Sequence, residues 1–148
     1  MSKHRHLALA SAMALALVSS TVFAAAGWSD DYDKGLAQAK AEKKLVLLDF
    51  TGSDWCGWCK KLQAEVFTTK EFDTFAKNKL VLVEIDFPSQ KKQSAELKKA
   101  NEALQEKYKA SGFPTIVALN GEGKEVWRQV GYMAGGPRAW IAKLEPLK

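Results

Sequence analysis

The sequence predicts an α/β protein of one domain, with a mixed central sheet flanked by helices on both faces. Three observations point there. The chain has 148 residues, 47% hydrophobic and 26% charged, a size and composition suited to one buried core. Short apolar, β-branched runs alternate with segments of helical periodicity in the order helix, strand, helix, strand, helix, strand, strand, helix. Strands joined through helices imply parallel neighbours, and the closing strand, turn and strand add an antiparallel pair. With 10 Gly and 4 Pro, and no repeat or low-complexity tract, collagen-like, disordered and repeat architectures are excluded.

The elements follow in order. Lys3 and Arg5 precede an apolar stretch from Leu7 to Val18, then serines and small residues. That is the layout of a signal peptide over residues 1–26, with cleavage between Ala24 and Ala26, and it places the mature domain, 27–148, in the periplasm or outside the cell. Trp28 to Lys44 reads as a helix, with Ser29 or Asp30 as its N-cap and lysines near its end. Leu45 to Phe50 is a buried strand, and the acid inside it, Asp49, is an anomaly, because a buried carboxylate costs several kcal/mol unless paired or protonated. Thr51 to Asp54 form a loop leading to Trp55-Cys56-Gly57-Trp58-Cys59. Lys60 to Thr68 and Lys70 to Lys77 are helical, with Leu62, Val66 and Phe67 inward. Leu80 to Asp86 alternates as a strand, and a polar connection with Pro88 leads to a helix over Ser94 to Lys109. Its stripe of Leu97, Ala100, Leu104 and Tyr108 reads as core-facing. Gly112 to Thr115 breaks the chain before a strand from Ile116 to Leu119. Asn120 to Gly123 then turns into a strand from Glu125 to Val130. Pro137 opens a last helix, Arg138 to about Leu144. Trp127, Trp140, Phe67, Phe72 and Phe75 read as core.

Removing the leader changes the available chemistry. Both histidines, His4 and His6, fall within it, so the mature chain has none. Hydrolases that use a histidine base and zinc sites with a histidine ligand are excluded. Losing Lys3 and Arg5 leaves 20 basic against 17 acidic residues, too even a balance to argue for nucleic acid. The lysine pairs read as solvated faces.

What remains is the pair of cysteines, Cys56 and Cys59, between a buried strand and a helix start. Backbone N–H groups and the helix dipole favour a thiolate at the first position. An exposed thiolate at Cys56 attacks a substrate disulfide, and Cys59, one turn on, resolves the mixed disulfide. A static staple is a weaker reading, since so short a loop removes little unfolded-state entropy. A two-thiolate site for a soft metal such as Cu(I) is another, with Met133 the only methionine left to assist it.

Leu47-Leu48-Asp49-Phe50, Trp55-Cys56-Gly57-Trp58-Cys59-Lys60, Gly112-Phe113-Pro114-Thr115 and Gly131 stand in an order that resembles the thioredoxin-like superfamily. The likeness is to its exported bacterial members with a TGSDWCGWC stretch. It covers essentially the whole mature chain. The resemblance implies a thioredoxin-like fold, a cis bond before Pro114 with the proline against the disulfide, and pairing of the Phe113 backbone with an extended substrate. It also implies Cys56 as the attacking cysteine, Cys59 as the resolving one, and Asp49 as the buried acid that moves protons for Cys59. Two departures stand out. Asp49 lies seven residues before Cys56 rather than six, so Thr51 to Asp54 absorb one residue, and Trp58 replaces the proline of thioredoxin between the cysteines.

Trp55 and Trp58, flanking Gly57 and the thiols, offer an apolar surface for extended polypeptide. Trp55 reads equally well as packing on a neighbouring helix. Lys60 and Lys61 favour the thiolate electrostatically or are simply solvated. The expected function is thiol–disulfide exchange on protein or peptide disulfides, as reductase or isomerase, by a monomer with a membrane or periplasmic redox partner, and with no cofactor, metal or nucleic acid. A copper carrier or a peptide-binding chaperone is the competing class.

Overall fold

Seven consecutive buried residues form the centre of the molecule, strand β2 (Leu45–Thr51). The computed structural model describes residues 27–148, so the leader expected over residues 1–26 lies outside the described residues. Around β2 stand β1 (Trp28–Ser29), β3 (Leu80–Asp86), β4 (Thr115–Leu119) and β5 (Glu125–Val130). They form one sheet in the order β1-β3-β2-β4-β5. The helices are α1 (Tyr32–Glu42), α2 (Gly57–Leu62), α3 (Lys70–Lys79), α4 (Ala95–Tyr108) and α5 (Gly136–Leu144), with a π-helical turn, Gln63–Phe67, extending α2.

Strand alternation sorts the side chains of β2. Leu45 and Leu47 join Leu62, Val66, Phe72 and Trp140 in a core under α2, α3 and α5. Val46, Leu48 and Phe50 join Ala39 and Tyr108 in a second core under α1 and α4. By the same alternation Asp49 falls on the α2 side. Of the aromatics expected in the core, Phe67, Phe72 and Trp140 are buried, while Phe75 and Trp127 pack against that cluster partly covered.

Three local expectations change. The segment from Trp28 is not helical at its start: Trp28 and Ser29 pair in parallel with Leu82 and Val83, and the helix is capped by Asp31, whose side chain accepts from Lys34 N–H at 2.9 Å. A two-residue strand has no periodicity of its own, and the edge of β3 dictates it. Of the α4 stripe, Tyr108 is buried, Leu97 and Leu104 are half-buried and Ala100 is exposed. The inward position belongs instead to Asn101, whose amide donates to the Asp86 carbonyl at 2.9 Å. Finally, β3 and β4, though joined by a helix, are not neighbours. β4 runs antiparallel to β2, with Phe50 opposite Thr115, while Thr51 stands opposite Asp86 of β3. The chain thus leaves β3 and enters β4 at the same end of the sheet, which brings Pro114 beside the loop that follows β2.

Candidate active site

Cys56 is the N-cap of α2, and its Sγ accepts from the Cys59 backbone N–H at 3.2 Å. The two cysteines are joined as a disulfide with Cα atoms 5.2 Å apart. The thiol pair therefore sits on a helix start, where N–H groups favour negative charge on sulfur. Cys56 is not the exposed group the sequence suggested, being only 6% exposed, with Cys59 at 5%. The flanking tryptophans take the surface instead, Trp55 at 51% and Trp58 at 59% exposure. Gly57 lies between them facing open space, and a side chain there would meet nothing.

At Cys59 a cavity of about 290 Å³ is lined by Asp49, Thr51 and Glu84 from the sheet, by Ser53 from the loop and by Cys59, Lys60 and Gln63 from the helix. Asp49 and Cys59 thus face one space despite the extra residue between strand and helix. Asp49 is buried, and its Oδ1 has no hydrogen-bond partner among the described residues. Burial is the main reason its carboxyl is pushed up to about 8, and the nearby Glu84 and Asp86 add to it.

The extra residue is absorbed in a turn fastened at several points. Cys56 N–H reaches back to the Gly52 carbonyl at 2.8 Å. Asp86 accepts from Ser53 N–H at 2.9 Å and from the Ser53 hydroxyl at 2.5 Å. Asp54 accepts from the backbone N–H groups of Ser89, Gln90 and Lys91 at 2.8, 2.7 and 2.8 Å, and these bonds hold its carboxyl down at about 2. The Trp55 ring lies over Gly52 so closely that a Cβ on that glycine would stand 2.4 Å from it. Its Nε1–H donates to the Phe87 carbonyl at 2.8 Å, and its edge meets Phe113, ring centroids 5.8 Å apart. Trp55 therefore packs on loops rather than on a helix. Trp58 rests on Tyr132 at 5.4 Å; the Tyr132 hydroxyl donates to Glu65, which also pairs with Lys61. Lys60 is likewise occupied, donating to the Asp54 carbonyl at 2.9 Å, so both lysines are engaged with these partners.

The Phe113–Pro114 bond is cis, and Pro114 is buried with its carbonyl accepting from Gly131 N–H at 2.8 Å. The residues singled out in the sequence thus converge on one end of the sheet. Sequence reasoning missed Tyr132, Phe87 and Glu84. Only Glu84 left a signal, as an acid two positions from Asp86 on an otherwise apolar strand.

A disulfide on a helix start, a buried acid facing the same cavity as its second cysteine, and a cis-proline at the same end of the sheet make the constellation of a thiol–disulfide oxidoreductase. Residues 32–145 match the thioredoxin-like domain family, and the chain belongs to it. Over 116 residues it is 39% identical to the disulfide bond reductase DsbH of Chlamydia pneumoniae, a match covering 78% of this chain and 69% of that protein. A solved structure of the DsbH oxidoreductase superposes with a TM-score of 0.76 at 36% identity, covering 91% of this chain and 92% of the other. The thiol:disulfide interchange protein DsbD of Vibrio cholerae is 37% identical over 112 residues, which are 72% of this chain but 17% of DsbD. The protein is a thiol–disulfide oxidoreductase with a CxxC site.

Proposed function

We propose that this oxidoreductase works outside the cytoplasm as a monomeric reductase of protein disulfides, exported by a leader over residues 1–26 and kept reduced by a separate thiol donor. In the reduced protein the Cys56 thiolate attacks one sulfur of a substrate disulfide; the substrate's S–S bond breaks, and the departing sulfur leaves with the electron pair and takes a proton. The Cys59 thiol then gives its proton to the Asp49 carboxylate and attacks Cys56 Sγ. The internal disulfide forms, and the second substrate sulfur leaves as a thiolate. Recharging runs the same steps backwards, with protonated Asp49 supplying the proton that Cys59 needs as it departs. Trp55, Gly57, Trp58, Phe113 and Pro114 form the rim that receives an extended polypeptide. The observation that carries this reading is the cavity that Asp49 and Cys59 share. The reductase direction is supported by the name of the Chlamydia relative, and the compartment by the leader-like sequence.

The test is the reduction potential of the Cys56–Cys59 pair, equilibrated against glutathione and dithiothreitol and read by thiol alkylation. A value near about −270 mV is expected for a reductant, while one near about −120 mV would make the protein an oxidant. Cys56→Ser abolishes exchange, and Cys59→Ser accumulates mixed disulfides with substrate. Full turnover by the Cys56→Ser protein would sink the mechanism.

A further inference from the structure

Asp49 and Glu84 occupy one register position on adjacent parallel strands, Cα partner to Cα partner. Such partners project to the same face of a sheet, and both carboxyls line the cavity that reaches Cys59. They differ in access. Asp49 is sealed, at 5% exposure. Glu84 is half-buried and also borders a second cleft, of about 380 Å³, between the start of α4 and the end of β3. It is therefore the carboxyl that borders both the cavity at Cys59 and this second, outer cleft beside α4.

The other groups around the cavity are committed elsewhere. Lys60, from α2, donates its ammonium to the Asp54 carbonyl, and Gln63 does not titrate. Asp86, next on the same face of β3, accepts both Ser53 bonds and lies 3.5 Å from Lys91 Nζ. Facing Glu84 from the outer cleft are Asp30, just after β1, and Lys91 and Lys92, from the connection after β3. A cavity of this size, with the Asp49 and Glu84 carboxyls and the Thr51 and Ser53 hydroxyls in its lining, has room for several waters, at roughly 30 Å³ of liquid each.

We infer that Glu84 carries protons between Asp49 and solvent during the redox cycle, acting through Asp49 and resting on the reading of Asp49 given above. When a donor thiolate attacks Cys56 Sγ, the Cys56–Cys59 bond breaks and its electron pair passes to Cys59 Sγ, which takes the Asp49 proton. The Asp49 carboxylate left behind is buried opposite the protonated Glu84 carboxyl. It is neutralised by a proton from Glu84, across the water of the cavity, and Glu84 recovers a proton from the outer cleft. Oxidation of the dithiol sends the proton out by the same route. Glu84 never meets the sulfurs, and burial of Asp49 is what makes such an outlet necessary.

The experiment is single-turnover reduction of the disulfide by excess dithiothreitol. It is followed by tryptophan fluorescence from about pH 6 to 9 and corrected for the thiolate fraction of the reagent. The proteins compared are the parent, Glu84→Gln, Asp49→Asn and the double variant. Glu84→Gln slows reduction about tenfold and reshapes its pH profile in the parent, yet changes nothing when Asp49 is already Asn. Glu84→Ala is slowed likewise and is restored by added formate, which a purely structural loss would not be, and Glu84→Asp keeps most of the rate. Equal slowing by Glu84→Gln in both backgrounds, no slowing, or no rescue by formate overturns the outlet. An Asp49→Asn protein as fast as the parent overturns the role of Asp49 itself, and the outlet with it.

Discussion

Asp49 and Asp54 stand on either side of the turn at Gly52, and folding moves their carboxyls in opposite directions. Asp49 is buried beside like charges, with an oxygen that none of the described residues donates to, and is pushed up to about 8. Asp54, near the surface, collects three backbone N–H groups and is held down at about 2. The same side chain is thus a proton store on one side of the loop and an anionic fastener on the other. What differs is solvation and donor count, which decide the charge state more strongly than residue type does. The contrast also divides the turn: its strand side holds a poorly satisfied acid and its loop side a well satisfied one.

The largest expected effect comes from relieving the buried acid. Asp49 holds a proton in the folded state that the unfolded chain, with a carboxyl near 3.8, gives up. The fold therefore loses stability as pH rises from the unfolded value through about 8, by up to roughly 4 kcal/mol at pH 7. Asp49→Asn abolishes that loss. Urea denaturation should show the variant more stable than the parent at pH 8 and little different at pH 3.5, and equal gains at both would break the contrast. Next comes Gly52→Ala, which forces the Trp55 ring off the loop and costs about 2 kcal/mol, read by denaturation together with iodide quenching of the tryptophans.

Asp54→Ala is a smaller perturbation, confined to the fastener. Amide exchange at Ser89, Gln90 and Lys91 should rise roughly tenfold. In the parent, the fastening is present above the unfolded carboxyl value and is lost as pH falls through about 2, so an NMR titration of those amides that stays flat on the acid side would refute it. Smallest is Trp58→Ala, expected to change stability by no more than about 0.5 kcal/mol, because that ring rests on Tyr132 at the surface. Its effect should fall on the rate with a disulfide-containing polypeptide and spare the rate with dithiothreitol, whereas disturbing Trp55 through Gly52 affects both.

Long elements with strong periodicity were legible in the sequence: β2, β3, the β4–β5 turn and the helices between them. So were the cysteine pair, the proline that is cis, and the acid at position 49, because each is a local departure from an ordinary strand or helix. What escaped depends on neighbours far along the chain. β1 exists because β3 offers an edge, and Asn101 faces inward because the Asp86 carbonyl needs a donor. The rings flanking Cys56 take their places on Phe113 and Tyr132, which lie 57 and 76 residues beyond Cys56 in sequence. The spacing of Asp49 from Cys56 looked like a disturbance of the site. It proved to be the length that lets Ser53 and Asp54 tie the loop to residues 86–91 while Asp49 keeps its place in the strand.

The buried acid is carried by the central strand of the sheet, paired along its length with β3 and along most of it with β4. Backbone amides in such a strand open to exchange only when the whole fold opens. The enzyme is therefore expected to keep Asp49 in place until the domain as a whole opens. Its activity is expected to end in one cooperative step, so a melting curve and an inactivation curve should share a midpoint.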